Sequence, residues 1–152
     1  MHLAHYLGLL HRWQVDLADA FRQVADGHAE EADVFYICNK LAKECDAHAE
    51  RLQPFADRYG EDAPDEPDRL YAAAFEGARS GGLGLLRDLH DLYVMAAGCD
   101  MAWTLVGQAA QGARDPDLLA VVEQCEGETA IQLKWLKTRM KQAAPQALVV
   151  SG

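Results

Sequence analysis

Apolar side chains recur at alternating intervals of three and four residues along four long stretches of this chain. This spacing places them on one face of an α-helix. The first such stripe consists of Leu3, Leu7, Leu10, Gln14, Leu17, Phe21 and Val24. Amphipathic helices of this kind bury their apolar faces only against one another, and 152 residues suit one domain, so the pattern predicts an all-α four-helix bundle with a single core.

Local signals predict where each helix begins and ends. The first helix should cover about residues 2–25 and stop at Asp26-Gly27, and the second should begin with an acidic first turn at Glu30, Glu31 and Asp33 and end at Gly60. A short helix is expected over 68–79, after Pro67 and before Ser80-Gly81-Gly82. The last two helices should cover 83–111 and, after an Asp115-Pro116 cap, residues up to about 143.

The second connection is the longest, with about twenty residues between the second and third long helices. At about 1.5 Å per helical residue and 3.3 Å per extended residue, it can cross the length of a bundle. A short-long-short order of connections is therefore predicted, with a bundle over residues 1–144. Residues 145–152 form an apolar tail that we expect to pack on its own chain.

Charge restricts the partners. The formal net charge of -10 argues against nucleic acid and anionic membranes, because both require clustered lysine and arginine. The first residues lack a basic leader, which favours a cytoplasmic protein.

The third helix is apolar over most of its circumference from Leu92 to Ala110, but Asp100 in its middle argues against a membrane span. We instead expect a homodimer through this helix, or another protein partner.

Polar residues interrupt the apolar stripes at corresponding places in the two hairpins. The first hairpin contributes Gln14 and the pair Cys45-Asp46-Ala47-His48, and the second contributes Asp100 and the pair Glu126-Gly127-Glu128-Thr129. This arrangement resembles the ferritin-like superfamily, in which one Glu from each of two helices joins two Glu-x-x-His pairs around two metal ions. The resemblance covers about residues 2–143 in topology and implies iron handling, oxygen activation or peroxide detoxification.

The resemblance fails at several of the ligand positions. Gln14, Cys45 and Thr129 replace acids or a histidine, which argues against a bridged di-iron centre. A single iron or zinc ion bound by His48, Glu126 and Asp100, with Cys45 or His11, is one alternative. In the other, His48 is a core histidine hydrogen-bonded to Asp100 or Glu126.

The four cysteines, Cys38, Cys45, Cys99 and Cys125, all lie on apolar stripes, and none has Cys-x-x-Cys spacing. Buried, reduced thiols are the expected state in an intracellular chain. No nucleophile arrangement or phosphate-binding glycine loop is present, and the sequence leaves open whether the protein is an enzyme. The function it favours is a binding or interaction module that has lost its di-iron centre. The alternative is a metal-dependent redox or iron-handling protein with an altered single-metal site.

Overall fold

In a computed structural model, residues 2–60 and 75–150 are described, and they form an all-α bundle. Its four long helices are α1 (Leu3–Gly27), α2 (Ala32–Gly60), α3 (Gly81–Gly112) and α4 (Pro116–Pro145). The four long helices predicted from the sequence are confirmed to within two residues at nearly every end. As expected, Asp115 caps α4, because its side chain accepts a hydrogen bond from the backbone N–H of Leu118 at 3.1 Å.

Contacts at the two ends of the bundle establish how the helices run. His28, in the α1–α2 turn, lies 2.7 Å from Asp88 near the start of α3. At the opposite end, Tyr59 near the end of α2 donates a hydrogen bond to Asp115 in the α3–α4 turn at 2.7 Å. The end of α2 and the start of α3 therefore lie at opposite ends of the bundle. The connection between them is a crossover, as the sequence predicts, and not the tight turn of an up-down-up-down bundle.

Each of the four long helices packs on two of the other three. The hairpins α1–α2 and α3–α4 have the most extensive contacts, α1 also packs on α3, and α2 also packs on α4. This arrangement of two hairpins joined by a crossover is compatible with a ferritin-like fold. The core between them is built mainly of leucine and alanine, and its largest buried side chains include Trp103, Phe21, Leu10, Leu52 and Leu89.

The last part of the crossover packs tightly into the corner between α1 and α3. A Cβ added at Gly27 would clash with the side chain of Ala78, and one added at Gly84 would lie 2.9 Å from the Cβ of Arg79. Residues 75–80 form no helix. The short helix predicted over 68–79 is therefore wrong for 75–79, where close packing against glycine determines the backbone path instead of helix propensity. Its earlier part, 68–74, lies outside the described residues.

The outward face of α3 is more exposed than its apolar sequence suggests. Val94 is 61% exposed and Met101 is 59% exposed, whereas Leu92, Ala96 and Trp103 are buried. None of the helices in the described part of the chain combines the length and apolar character needed to cross a membrane. After Pro145 the chain makes a π-helical turn, Gln146–Val150, that contacts α3 and α4.

Candidate functional site

His48 lies at the centre of a polar cluster in the bundle core. Its α2 stripe places the ring inside the bundle, where the residue is 1% exposed. The ring Nε2 lies 2.9 Å from a carboxylate oxygen of Glu128 on α4, and Nδ1 lies 3.2 Å from the amide oxygen of Gln14 on α1. The indole of Trp103 on α3 packs edge-on against the ring, with centroids 5.8 Å apart. All four helices thus meet at this one side chain.

Donor and acceptor chemistry limits the state of this cluster. A carboxylate only accepts, so the Nε2–H group of His48 donates a hydrogen bond to Glu128. If Nδ1 also donates, to the amide oxygen of Gln14, the imidazole is positively charged and pairs with the Glu128 carboxylate. If the amide oxygen and nitrogen of Gln14 are exchanged, a neutral ring accepts from the amide instead. In both arrangements, each of the two ring nitrogens has a partner within the protein.

A second polar group extends the cluster along the α2–α4 contact. The amide of Gln132 lies 3.7 Å from the sulfur of Cys45 and donates to the Glu44 carboxylate at 3.2 Å. The Thr129 hydroxyl donates to the backbone oxygen of Cys125 at 2.8 Å, within its own helix. Cys45 and Thr129 are therefore engaged in hydrogen bonds or polar contacts with the protein itself.

The four cysteines remain protonated thiols at neutral pH. Burial raises the pKa of Cys38, Cys99 and Cys125 to about 12 in each case, and raises that of Cys45 further. A thiolate, not a thiol, is the form that binds metal or attacks an electrophile. The buried, reduced cysteines expected from the sequence are found at all four positions.

Two of the predicted ligands lie away from His48. Glu126 accepts a hydrogen bond from the Thr104 hydroxyl at 2.6 Å, on the exposed side of the α3–α4 hairpin. Asp100 lies beside it: partial burial, followed by the negative charge of Glu126, raises the pKa of the Asp100 carboxyl. Both acids are half-buried, Asp100 on α3 and Glu126 on α4. The acid that reaches His48 is Glu128, which the sequence argument did not select.

The five residues predicted as metal ligands differ in their surroundings. His48 and Cys45 are buried in the core, whereas His11 on α1, Asp100 on α3 and Glu126 on α4 are half-buried. Within residues 2–60 and 75–150, no three His, Cys, Asp or Glu side chains are placed to hold a metal ion. The residues present also do not fit a di-iron centre, because Gln14, Cys45 and Thr129 contribute no anionic or imidazole ligand.

A second buried polar cluster fixes the end of the crossover. The Asp88 carboxylate is fully buried and contacts His28, the backbone N–H of Arg79 at 2.9 Å and the guanidinium of Arg79 at 2.7 Å. The guanidinium also donates to Asp91 at 2.8 Å. The sequence offered one clue to this cluster, since Asp88 is a charged residue on an otherwise apolar stripe of α3. His28 lies in a turn and carried no periodic signal.

The fold and the polar core define the class of protein as an all-α four-helix bundle, with two hairpins joined by a crossover and a hydrogen-bonded core histidine. Comparisons with protein-family models, with curated proteins and with solved structures gave no match.

Proposed function

We propose that this chain is a non-catalytic member of the ferritin-like class, in which hydrogen bonds among core side chains have replaced a di-iron centre, and that it acts as a binding or interaction module. The observation that carries the proposal is the engagement of both ring nitrogens of His48, by Gln14 and Glu128. A histidine that binds a metal must offer one nitrogen to the ion. Here that nitrogen would first have to lose its protein partner.

The chemistry of the other core groups supports the same conclusion. The four cysteine thiols are buried and protonated, and the Thr129 hydroxyl donates its hydrogen bond within its own helix. On α4, Glu126 bonds to Thr104 of α3, whereas it is Glu128 that reaches His48. The alternative, a redox protein with one metal ion, would need at least a third ligand beside His48 and Glu128.

The surface of α3 supports an interaction role. Val94 and Met101 are seven residues apart, so they project from the same face of the helix. Both are more than half exposed, and Ala97 between them is small enough to let another helix approach closely. A second copy of the chain would cover this face with the same face of its own α3, as in a two-fold symmetric dimer.

Light scattering on the purified chain should therefore report twice the 16.7 kDa chain mass at micromolar concentration. Met101→Asp and Val94→Asp should each convert the dimer to a monomer, because a charge would be buried without a partner at the contact. The matched control is Ile131→Asp on α4, where the side chain is 65% exposed, and it should leave the dimer intact. A monomeric wild-type chain, or a dimer unaffected by both α3 variants, would contradict the proposed interface.

A further inference from the structure

An open cavity of about 540 Å³ lies between the start of α1 and the end of α3. Its floor is made of small and apolar residues, and two polar side chains, His2 and Tyr6, line it as well. The apolar lining residues are Leu3, Leu105, Val106, Ala109, Gly112 and Ala113. This cavity is separate from the His48 cluster, and none of the interactions described above uses it.

The size of the cavity suits a small molecule better than a protein segment. Pockets that hold small organic ligands have volumes of about 300–1,000 Å³ and are lined mainly by apolar groups. Along α3 the lining runs from Leu105 to Ala113, which at about 1.5 Å per residue corresponds to roughly 12 Å. That length is little more than two helical turns, so a partner helix would extend well beyond it.

Polar groups near the cavity indicate which kind of molecule would fit. The imidazole of His2 and the side chain of Tyr6 both line it, and both can donate a hydrogen bond. His5 does not line the cavity, but its ring lies beside that of His2, with centroids 6.0 Å apart, and its buried Nε2 has no hydrogen-bond partner. A buried polar atom without a partner is unusual in a folded protein.

We propose that this cavity binds a small apolar molecule that carries one hydrogen-bond acceptor, such as a medium-chain carboxylic acid or alcohol. The apolar body would lie against Ala109, Gly112 and Val106 and would cover the exposed part of Leu105. The acceptor would lie toward His2 and Tyr6. The proposal does not depend on the metal question, because the cavity is separate from the His48 cluster. Leu105 lies four residues after Met101, so the cavity adjoins the proposed dimer face.

Calorimetric titration of the full chain with octanoate, and separately with octan-1-ol, tests the proposal. We expect saturable binding of at least one of the two probes with one site per chain. Preference for octanoate would identify a carboxylate as the acceptor, whereas equal binding would identify a neutral oxygen. Absence of saturable binding for both probes would overturn the proposal.

Two variants that fill the cavity make the test specific. Ala109→Phe places a ring in the cavity, and Gly112→Leu adds a side chain where a Cβ would meet open space. Each should weaken binding about tenfold or more, which corresponds to about 1.4 kcal/mol. Ala130→Phe, at an exposed position of α4, is the control and should bind as the wild-type chain does. Thermal unfolding identifies any variant that does not fold, and undiminished binding by a folded cavity variant would overturn the proposal.

Discussion

Replacing Asp88 by asparagine is expected to lower the free energy of unfolding by about 3–5 kcal/mol, because the buried carboxylate serves several donors and each buried donor left without a partner costs about 1–3 kcal/mol. The carboxylate accepts from the backbone and side chain of Arg79 and from His28, and it is 0% exposed. The amide of asparagine has one oxygen that accepts, but its NH₂ group is a donor and would point at the N–H groups that the carboxylate now binds. Thermal unfolding followed by circular dichroism should show a melting temperature lower by roughly 10 °C.

The control for this variant is Asp91→Asn. Asp91 bonds to the same guanidinium at 2.8 Å, but its side chain is 47% exposed. Surface ion pairs contribute little, so the free energy of unfolding should change by less than about 0.5–1 kcal/mol. Equal melting temperatures for the two variants would show that the Asp88 cluster does not hold the crossover against the bundle.

His48→Ala should destabilise the bundle by a comparable amount, about 3–5 kcal/mol. The change leaves Gln14 and Glu128 without their shared partner and opens a void beside Trp103. Chemical denaturation monitored by tryptophan fluorescence measures the effect, and Trp103 should report the loss of its neighbour directly. If hydrogen bonds have replaced the metal centre, as proposed, the destabilisation should be the same with and without a chelator.

Thr104→Ala is the matched control for His48→Ala, and it alters the surroundings of the Asp100 and Glu126 pair instead of the core. It removes the hydroxyl that donates to Glu126 at 2.6 Å, at an exposed position. The expected loss is within about 0.5 kcal/mol, as for most surface substitutions. A chelator that destabilises the wild-type chain but not His48→Ala would contradict the metal-free interpretation of the core.

The helices and the crossover were predictable because their signals are local. Periodicity, Gly60 and the Asp115-Pro116 cap each depend on a few neighbouring residues, and the length of the connection limits the topology. The packing of 75–80 was not predictable in this way. It depends on Gly27 and Gly84, two glycines that show no sign in the sequence of what approaches them.

The choice between Glu126 and Glu128 shows where periodicity reaches its limit. Both acids flank the buried stripe of Cys125 and Thr129. With about 100° of rotation per residue around the helix axis, each acid lies roughly 80° from the middle of that stripe, on opposite sides. One side faces α3 and the other faces α2, and the sequence does not indicate which neighbour lies on which side. The contacts of Glu128 with His48 and of Glu126 with Thr104 supply that information.

Gln132 could have been identified from the sequence, since it follows Cys125 and Thr129 on the same stripe of α4. The structure places it in the core, where it is 1% exposed. A polar residue at a core position usually has a buried partner. Its partners, Cys45 and Glu44, lie 87 and 88 residues away in the chain, so only the packing of α2 on α4 reveals them.

The most direct test of the central claim is the metal content of the untagged protein after anaerobic incubation with ferrous iron and removal of the excess by gel filtration. Elemental analysis should find iron, zinc and manganese far below one ion per chain, because both nitrogens of His48 already have protein partners. One or more ions retained per wild-type chain, and lost in a folded His48→Ala variant, would contradict the claim that hydrogen bonds have replaced a metal centre in this bundle.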